Sequence, residues 1–186
     1  MSINQSMGKI VEELDTVLSK IDYQKTEAFI NKILKADKIF LAGAGRSGFM
    51  IKAAAMRLMH LGLNSFVVGE TITQGIKEGD LLIIGSGSGE TASLVSMAKR
   101  ASDIGATVGL ITIFPDSSIG RLASEIIEIS APTPKSNKVQ QFSSIQPMGS
   151  LFEQCLLLTL DCMIISLMEK LDRESDKMFT RHANLE

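Results

Sequence analysis

The chain has 186 residues, 45% hydrophobic and 22% charged, enough for one domain with a sizeable core. A formal net charge of -2 provides no broad basic surface for nucleic acid or an anionic membrane. Met1 to Ile21 lacks the order of basic end, apolar block and cleavage site of a signal peptide, and the longest apolar run, Cys155 to Met168, is broken by Asp161, so no membrane span is expected and the cytoplasm is the expected compartment.

Ile10, Leu14, Val17, Leu18 and Ile21 recur at helical spacing and predict an amphipathic first helix; a second covers about Gln24 to Leu34. The pattern then changes. Ile39 to Ala42, Ser65 to Val68, Leu81 to Ile84, Val108 to Ile111 and Ile126 to Ile129 are short continuous apolar runs, the mark of strands buried on both faces. Helical stretches separate most of them: Ser47 to His60, Thr91 to Ile104, and a short one near Ser118 to Ala123. Alternating strands and helices predict an α/β fold, a parallel sheet with helices on both faces. Ser130 to Ser144 carries no acidic residue, is rich in Ser, Pro, Asn, Gln and Lys, and reads as a long surface loop. A long helix follows, about Ser150 to Leu171, and then a polar tail. No internal repeat appears, and residues 1–186 read as one unit with N-terminal helices in 1–36 and a C-terminal tail in 172–186.

Cys155 and Cys162 lie one heptad apart on the predicted last helix. Roughly 10 Å of axial rise excludes a disulfide between them, and without Cys or His neighbours they form no zinc site. They are expected to be buried small hydrophobes, and Met50, Met56 and Met59 to be core packing.

In open parallel sheets, ligands bind beyond the carboxyl ends of the strands. Two glycine-rich turns fall there, each leading into a helix: Gly43-Ala44-Gly45-Arg46-Ser47-Gly48 and Gly85-Ser86-Gly87-Ser88-Gly89-Glu90-Thr91. Both place backbone N–H groups and a helix dipole where an anion would sit. In the second, the hydroxyls of Ser86, Ser88 and Thr91 are interleaved with glycines. Helix capping, with Ser88 as cap, accounts for one hydroxyl, whereas a phosphate accounts for all three. The first turn also matches G-x-G-x-x-G, with Glu70 after the second strand, so a dinucleotide site is an alternative; no Walker A run follows a strand.

Gly43 to Gly48, Ser86 to Thr91 and Gln146-Pro147-Met148-Gly149-Ser150-Leu151-Phe152-Glu153 together resemble the SIS (sugar isomerase) family, with no departure at the motif positions. The likeness runs over nearly the whole chain and includes the ending His182-Ala183-Asn184-Leu185-Glu186. It implies a three-layer α/β/α sandwich with a five-stranded parallel sheet of flavodoxin-like order. It also implies a homo-oligomer, a tetramer, that isomerises a phosphorylated ketohexose without metal or organic cofactor.

Moving a carbonyl to the adjacent carbon needs a base for the proton between them and a means of stabilising the enediol. On spacing alone Glu153 is an ordinary first-turn acid; the resemblance makes it the base. The same likeness gives His182 a part in ring opening or proton transfer, although a polar tail would otherwise fray. The expected substrate-binding residues are Ser47, which serves equally as a helix N-cap, and the run Ser86, Gly87, Ser88, Gly89, Glu90 and Thr91. Arg46 is a candidate for offsetting enediolate charge, and His60 reads as a partner of its helix's C-terminus.

Three functions compete. An isomerase needs Glu153 and turnover without nicotinamide. A sugar-phosphate sensor binds without turnover, and the roughly thirty-five residues before the first strand carry no basic recognition helix for one that reads DNA. A dinucleotide-dependent oxidoreductase would change nicotinamide absorbance.

Overall fold

The structure, a computed structural model, describes residues 1–133 and 143–185. The chain runs through α1 (Ile3–Leu18), α2 (Tyr23–Lys35), β1 (Ile39–Gly43), α3 (Gly45–Leu61), β2 (Ser65–Val67) and β3 (Leu81–Gly85). It continues through α4 (Ala92–Ile104), β4 (Thr107–Thr112), β5 (Glu125–Glu128), α5 (Ser150–Lys170) and α6 (Ser175–Phe179). The five strands form one parallel sheet in the order β2-β1-β3-β4-β5, the flavodoxin-like arrangement expected from the resemblance.

Period-two geometry explains why the central strands are apolar at both positions of the alternation. Ile39, Leu41, Leu81, Ile83 and Ile111 face one way, into a core shared with α1, α2, α3 and α5. Phe40, Ala42, Leu82, Ile84, Val108 and Leu110 face the other way, against α4 and the turn around Ile119. Both faces of the central strands β1, β3 and β4 are buried, so both positions of their alternation are mainly apolar. The N-terminal helices start where local chemistry dictates: Ser2 and Gln5 close a capping box on α1, and the Asp22 side chain accepts the Lys25 N–H at the start of α2.

Several expectations are corrected. Ser118 to Ala123 is a run of turns rather than a helix. Gly120 lies against the Pro115 carbonyl, and the N–H groups of Leu122 and Ala123 both return to the Ile119 carbonyl, so the segment closes on itself instead of propagating. The crossover between β4 and β5 therefore carries no helix. Cys155 is buried, with its thiol pushed up to about 12 by burial, but Cys162 is exposed; both are free. Met50 is packed against the core, whereas Met56 and Met59 are exposed on the outer side of α3.

By length and composition α5 could cross a membrane, contrary to expectation; here half of its most apolar window is buried inside the fold, against α1, α2 and α3. Its inner side chains include Leu151, Phe152, Leu156, Leu160, Met163 and Leu167, each contributing about 1.5–3 kcal/mol on full burial. Of the predicted Ser130 to Ser144 loop, residues 134–142 lie outside the described residues. The expected polar tail contains the short helix α6, followed by turns.

Candidate active site

A cavity of about 360 Å³ opens beyond the carboxyl ends of β1, β3 and β4. Ser47, Ser86, Gly87, Ser88, Thr91 and Glu153 all line it. Three separate stretches of sequence thus meet at one place, because the parallel sheet delivers its loops to a common edge and α5 begins there.

The serine turn is fixed from behind by β4. The Ser86 N–H donates to the Ile111 carbonyl at 3.0 Å, the Ile113 N–H to the Gly87 carbonyl at 3.2 Å, and the Thr112 hydroxyl to that same carbonyl at 3.3 Å. Within the turn, Ser86 Oγ accepts the Gly89 N–H at 3.2 Å, and Ser88 Oγ accepts the Glu90 N–H at 3.2 Å. A hydroxyl has two acceptor sites and one donor. Here backbone amides occupy an acceptor site on each serine, and the O–H of each remains available to donate to a ligand. Thr91 is the N-cap residue of α4, yet its side chain makes no capping hydrogen bond. The alternative of a capping Ser88 is therefore not realised, and the first-turn N–H groups of α4 retain their capacity for an anion.

Gly89 and Glu90, both expected to bind substrate, are not among the cavity-lining residues. Gly89 is a buried structural glycine with φ 61°, its carbonyl taken by the Ile119 N–H. Glu90 points outward and accepts the Ser118 N–H at 2.7 Å; the Ser118 hydroxyl and N–H hold its carboxyl below the usual range.

In the first turn, Ala44 rather than Ser47 is the N-cap residue of α3, so Ser47 sits half-buried in the first helical turn with its side chain toward the cavity. Gly43 and Gly48 have a different task. A Cβ on Gly48 would lie 2.9 Å from the Gly43 carbonyl oxygen, and one on Gly43 would lie 3.0 Å from the Gly48 Cα. The pair lets strand and helix touch backbone to backbone. Glu70, the acid of the dinucleotide alternative, is held on the outside by Lys52 at 2.7 Å. The G-x-G-x-x-G match is thus accounted for by close packing of β1 on α3.

Glu153 lies in the first turn of α5, mostly buried, with its Oε2 3.3 Å from Nη1 of Arg46. The same Arg46 nitrogen donates to Ser150 Oγ at 2.6 Å. The arginine that the sequence suggested only as an offset for negative charge therefore bridges the first turn and the proposed base. Met148 and Gly149 form the adjoining wall, Met148 with φ 56°, a left-handed conformation rare for such a residue. Ile113, Phe114, Thr133 and Phe152 also line it; no motif marked them except Phe152, which belongs to the Gln146 to Glu153 segment.

His182 does not reach this cavity within the chain. Its ring stacks between those of His60 and Phe179, with centroids 5.5 and 5.7 Å away, in a second cavity of about 390 Å³ that Asp161 and Ile165 of α5 also line. Those α5 positions are roughly 12–18 Å of helix beyond Glu153 at 1.5 Å per residue. Burial, Arg57 and His182 together push the His60 imidazole below its usual value. Among the described residues, no group of three or more His, Cys, Asp or Glu side chains could hold a metal ion.

A flavodoxin-like sheet with a hydroxyl-rich turn at one helix N-terminus and a carboxylate at another defines a phosphosugar-binding α/β domain. The SIS domain model matches residues 32–158, and the chain belongs to the SIS domain family. It is 47% identical to a curated 3-hexulose-6-phosphate isomerase of Bacillus subtilis (strain 168), over 100% of both chains. It is 38% identical to the 3-hexulose-6-phosphate isomerase of Mycobacterium gastri, over 99% of this chain and 92% of that one. A crystal structure from Methanococcus jannaschii, from which a molecular function of 3-hexulose-6-phosphate isomerase was inferred, superposes with a TM-score of 0.82 at 34% identity and covers 99% of this chain and 98% of that one.

Proposed function

We propose that the protein is a 3-hexulose-6-phosphate isomerase, interconverting D-arabino-3-hexulose 6-phosphate and fructose 6-phosphate through an enediol. The observation that carries this reading is the convergence of Glu153 and the Ser86–Thr91 turn on one cavity, joined to full-length identity with enzymes of that name.

The phosphate sits on the O–H donors of Ser86 and Ser88, the Thr91 hydroxyl and the first N–H groups of α4, which need no cation to bind a dianion. Ser47 contacts the sugar from the other turn. Glu153 removes the proton from C2 and the C3 carbonyl oxygen becomes the oxyanion of a C2–C3 enediolate; the C2 hydroxyl proton passes to that oxygen, and Glu153 returns its proton to C3 as the C2 oxygen becomes the carbonyl. No atom is gained or lost. Arg46 orients the carboxylate and offsets the charge of the enediolate.

His182 enters as a residue of another subunit. Within one chain it lies apart from Glu153, so its part in ring opening requires a second copy whose tail reaches this cavity. The assembly is a homo-oligomer, a tetramer acting in the cytoplasm. Phe49, Met56 and Met59 on α3 and Leu158 and Ile165 on α5 are exposed apolar side chains that support an interface there. The substrate is the aldol product of formaldehyde and ribulose 5-phosphate, which places the reaction in the ribulose monophosphate route of formaldehyde fixation or detoxification.

A coupled assay tests the activity. Ribulose 5-phosphate, formaldehyde and a separate aldolase generate the hexulose phosphate, and fructose 6-phosphate is then followed. Its appearance only on addition of this protein supports the reading; binding of fructose 6-phosphate without turnover would make the protein a sensor. The shared site is tested by mixing Glu153→Gln and His182→Ala subunits, each expected to be nearly inactive. Activity reappears in mixed oligomers if one site draws on two chains, and full activity of His182→Ala alone removes the tail from the reaction.

A further inference from the structure

Glu13 is 3% exposed, a carboxylate buried on the inner face of α1. Burying such a group is costly unless it is fully hydrogen-bonded. Its hydrogen-bond partners lie more than 130 residues away, in the segment that enters α5. Glu13 Oε2 accepts the Ser144 hydroxyl at 2.7 Å and the Gln146 side-chain amide at 3.1 Å, while Oε1 accepts the Ile145 N–H at 2.7 Å. Ser144 Oγ in turn accepts the Gln146 N–H at 3.0 Å, so three consecutive residues are folded around one carboxylate. Burial pushes the Glu13 carboxyl up, but Ser144, Ile145 and Gln146, with Lys9 nearby, outweigh it and hold the group below its ordinary range.

The next residues are the wall of the candidate active site. The Pro147 carbonyl accepts the Ser150 N–H at 3.1 Å, Met148 follows with its left-handed φ of 56°, and Glu153 lies one turn into the helix. A methionine in that conformation persists only where its surroundings fix it. The anchor immediately before it supplies that constraint.

We propose that Glu13 is a positioning residue of the site, a post on α1 that fixes Ser144–Gln146 so that Met148 and Glu153 stand over the serine turn. This inference rests on the isomerase reading of the cavity. A glutamine cannot substitute, because it presents one acceptor oxygen where the segment offers donors to two, and its NH₂ would face a donor.

The test uses the full-length chain with Glu13→Gln, Gln146→Ala and the double variant. Glu13→Gln is expected to lower kcat by about 10- to 100-fold, the scale of a misplacement near 1 Å, with KM within about threefold because the phosphate turn is untouched. Its fall should be non-additive with that of Gln146→Ala, as for residues in one network. Amide hydrogen exchange across residues 143–152 should accelerate in both single variants. Unchanged kcat, a loss confined to KM, additive losses, or unchanged exchange would overturn the proposal. Should Glu13→Gln fail to fold, Ser144→Ala and Gln146→Ala leave α1 intact and carry the same expectation. Should the wild type show no isomerisation, the isomerase reading fails, and the exchange measurement still decides whether Glu13 holds the segment.

Discussion

The two glycine-rich turns stand at equivalent places, each after a parallel strand and before a helix, and they use their glycines differently. In Gly43 to Gly48 the outer glycines are spent on contact between strand and helix, where a Cβ on either would strike the other's backbone. In Gly85 to Thr91 the hydroxyl residues face the cavity: Ser86 and Ser88 between the glycines and Thr91 after them line it, and Gly89 supplies the positive φ that closes the turn. A shared sequence pattern at the end of a strand therefore reports the tightness of a turn, and only the residues between the glycines distinguish packing from binding.

Substitutions in the two turns should fail in separable ways. In the serine turn, Ser86→Ala, Ser88→Ala and Thr91→Val should each weaken fructose 6-phosphate binding by about 1.5–3 kcal/mol, the value of a hydrogen bond to a charged group, with little change in melting temperature. Calorimetric titration checks this, and unchanged affinity in all three would remove the turn from the site. In the first turn, Gly48→Ala should instead destabilise the fold, by about 1–3 kcal/mol for overpacking against backbone, read as a lower midpoint in denaturant. A Gly48→Ala protein of full stability would show that the close approach is not required. Smallest is Glu70→Gln, which breaks an exposed pair with Lys52; such pairs contribute about 0–1 kcal/mol, so affinity and stability should both stay near wild type. A nicotinamide nucleotide whose binding depended on Glu70 would restore the dinucleotide alternative.

The sheet was legible because its central strands β1, β3 and β4 are buried on both faces, which writes them as apolar runs with turn residues at their ends. The serine turn was legible because a phosphate site would require a local pattern of hydroxyls and glycines. What could not be read depends on partners distant in sequence. Arg46 meets Glu153 107 residues away, and Glu13 meets Ser144 131 residues away. A glutamate in an amphipathic helix reads as solvent-facing until the tertiary fold supplies its donors. Met56, Met59 and Cys162 were expected inside, because composition alone does not tell which side of a helix faces a neighbour. The Ser118 to Ala123 stretch had a helical composition, but Gly120 packed on the Pro115 carbonyl leaves it as turns.

The work proposed for this cavity is moving a proton on a bound sugar phosphate, with Glu153 as its carrier. The most direct measurement is the rate of Glu153→Gln at saturating hexulose phosphate, taken with its affinity for fructose 6-phosphate. The glutamine keeps the shape and cannot accept the proton, so kcat should fall by about 10²- to 10⁴-fold, the usual contribution of a general base, while fructose 6-phosphate still binds. Near-normal turnover in that variant would mean that Glu153 is not the base.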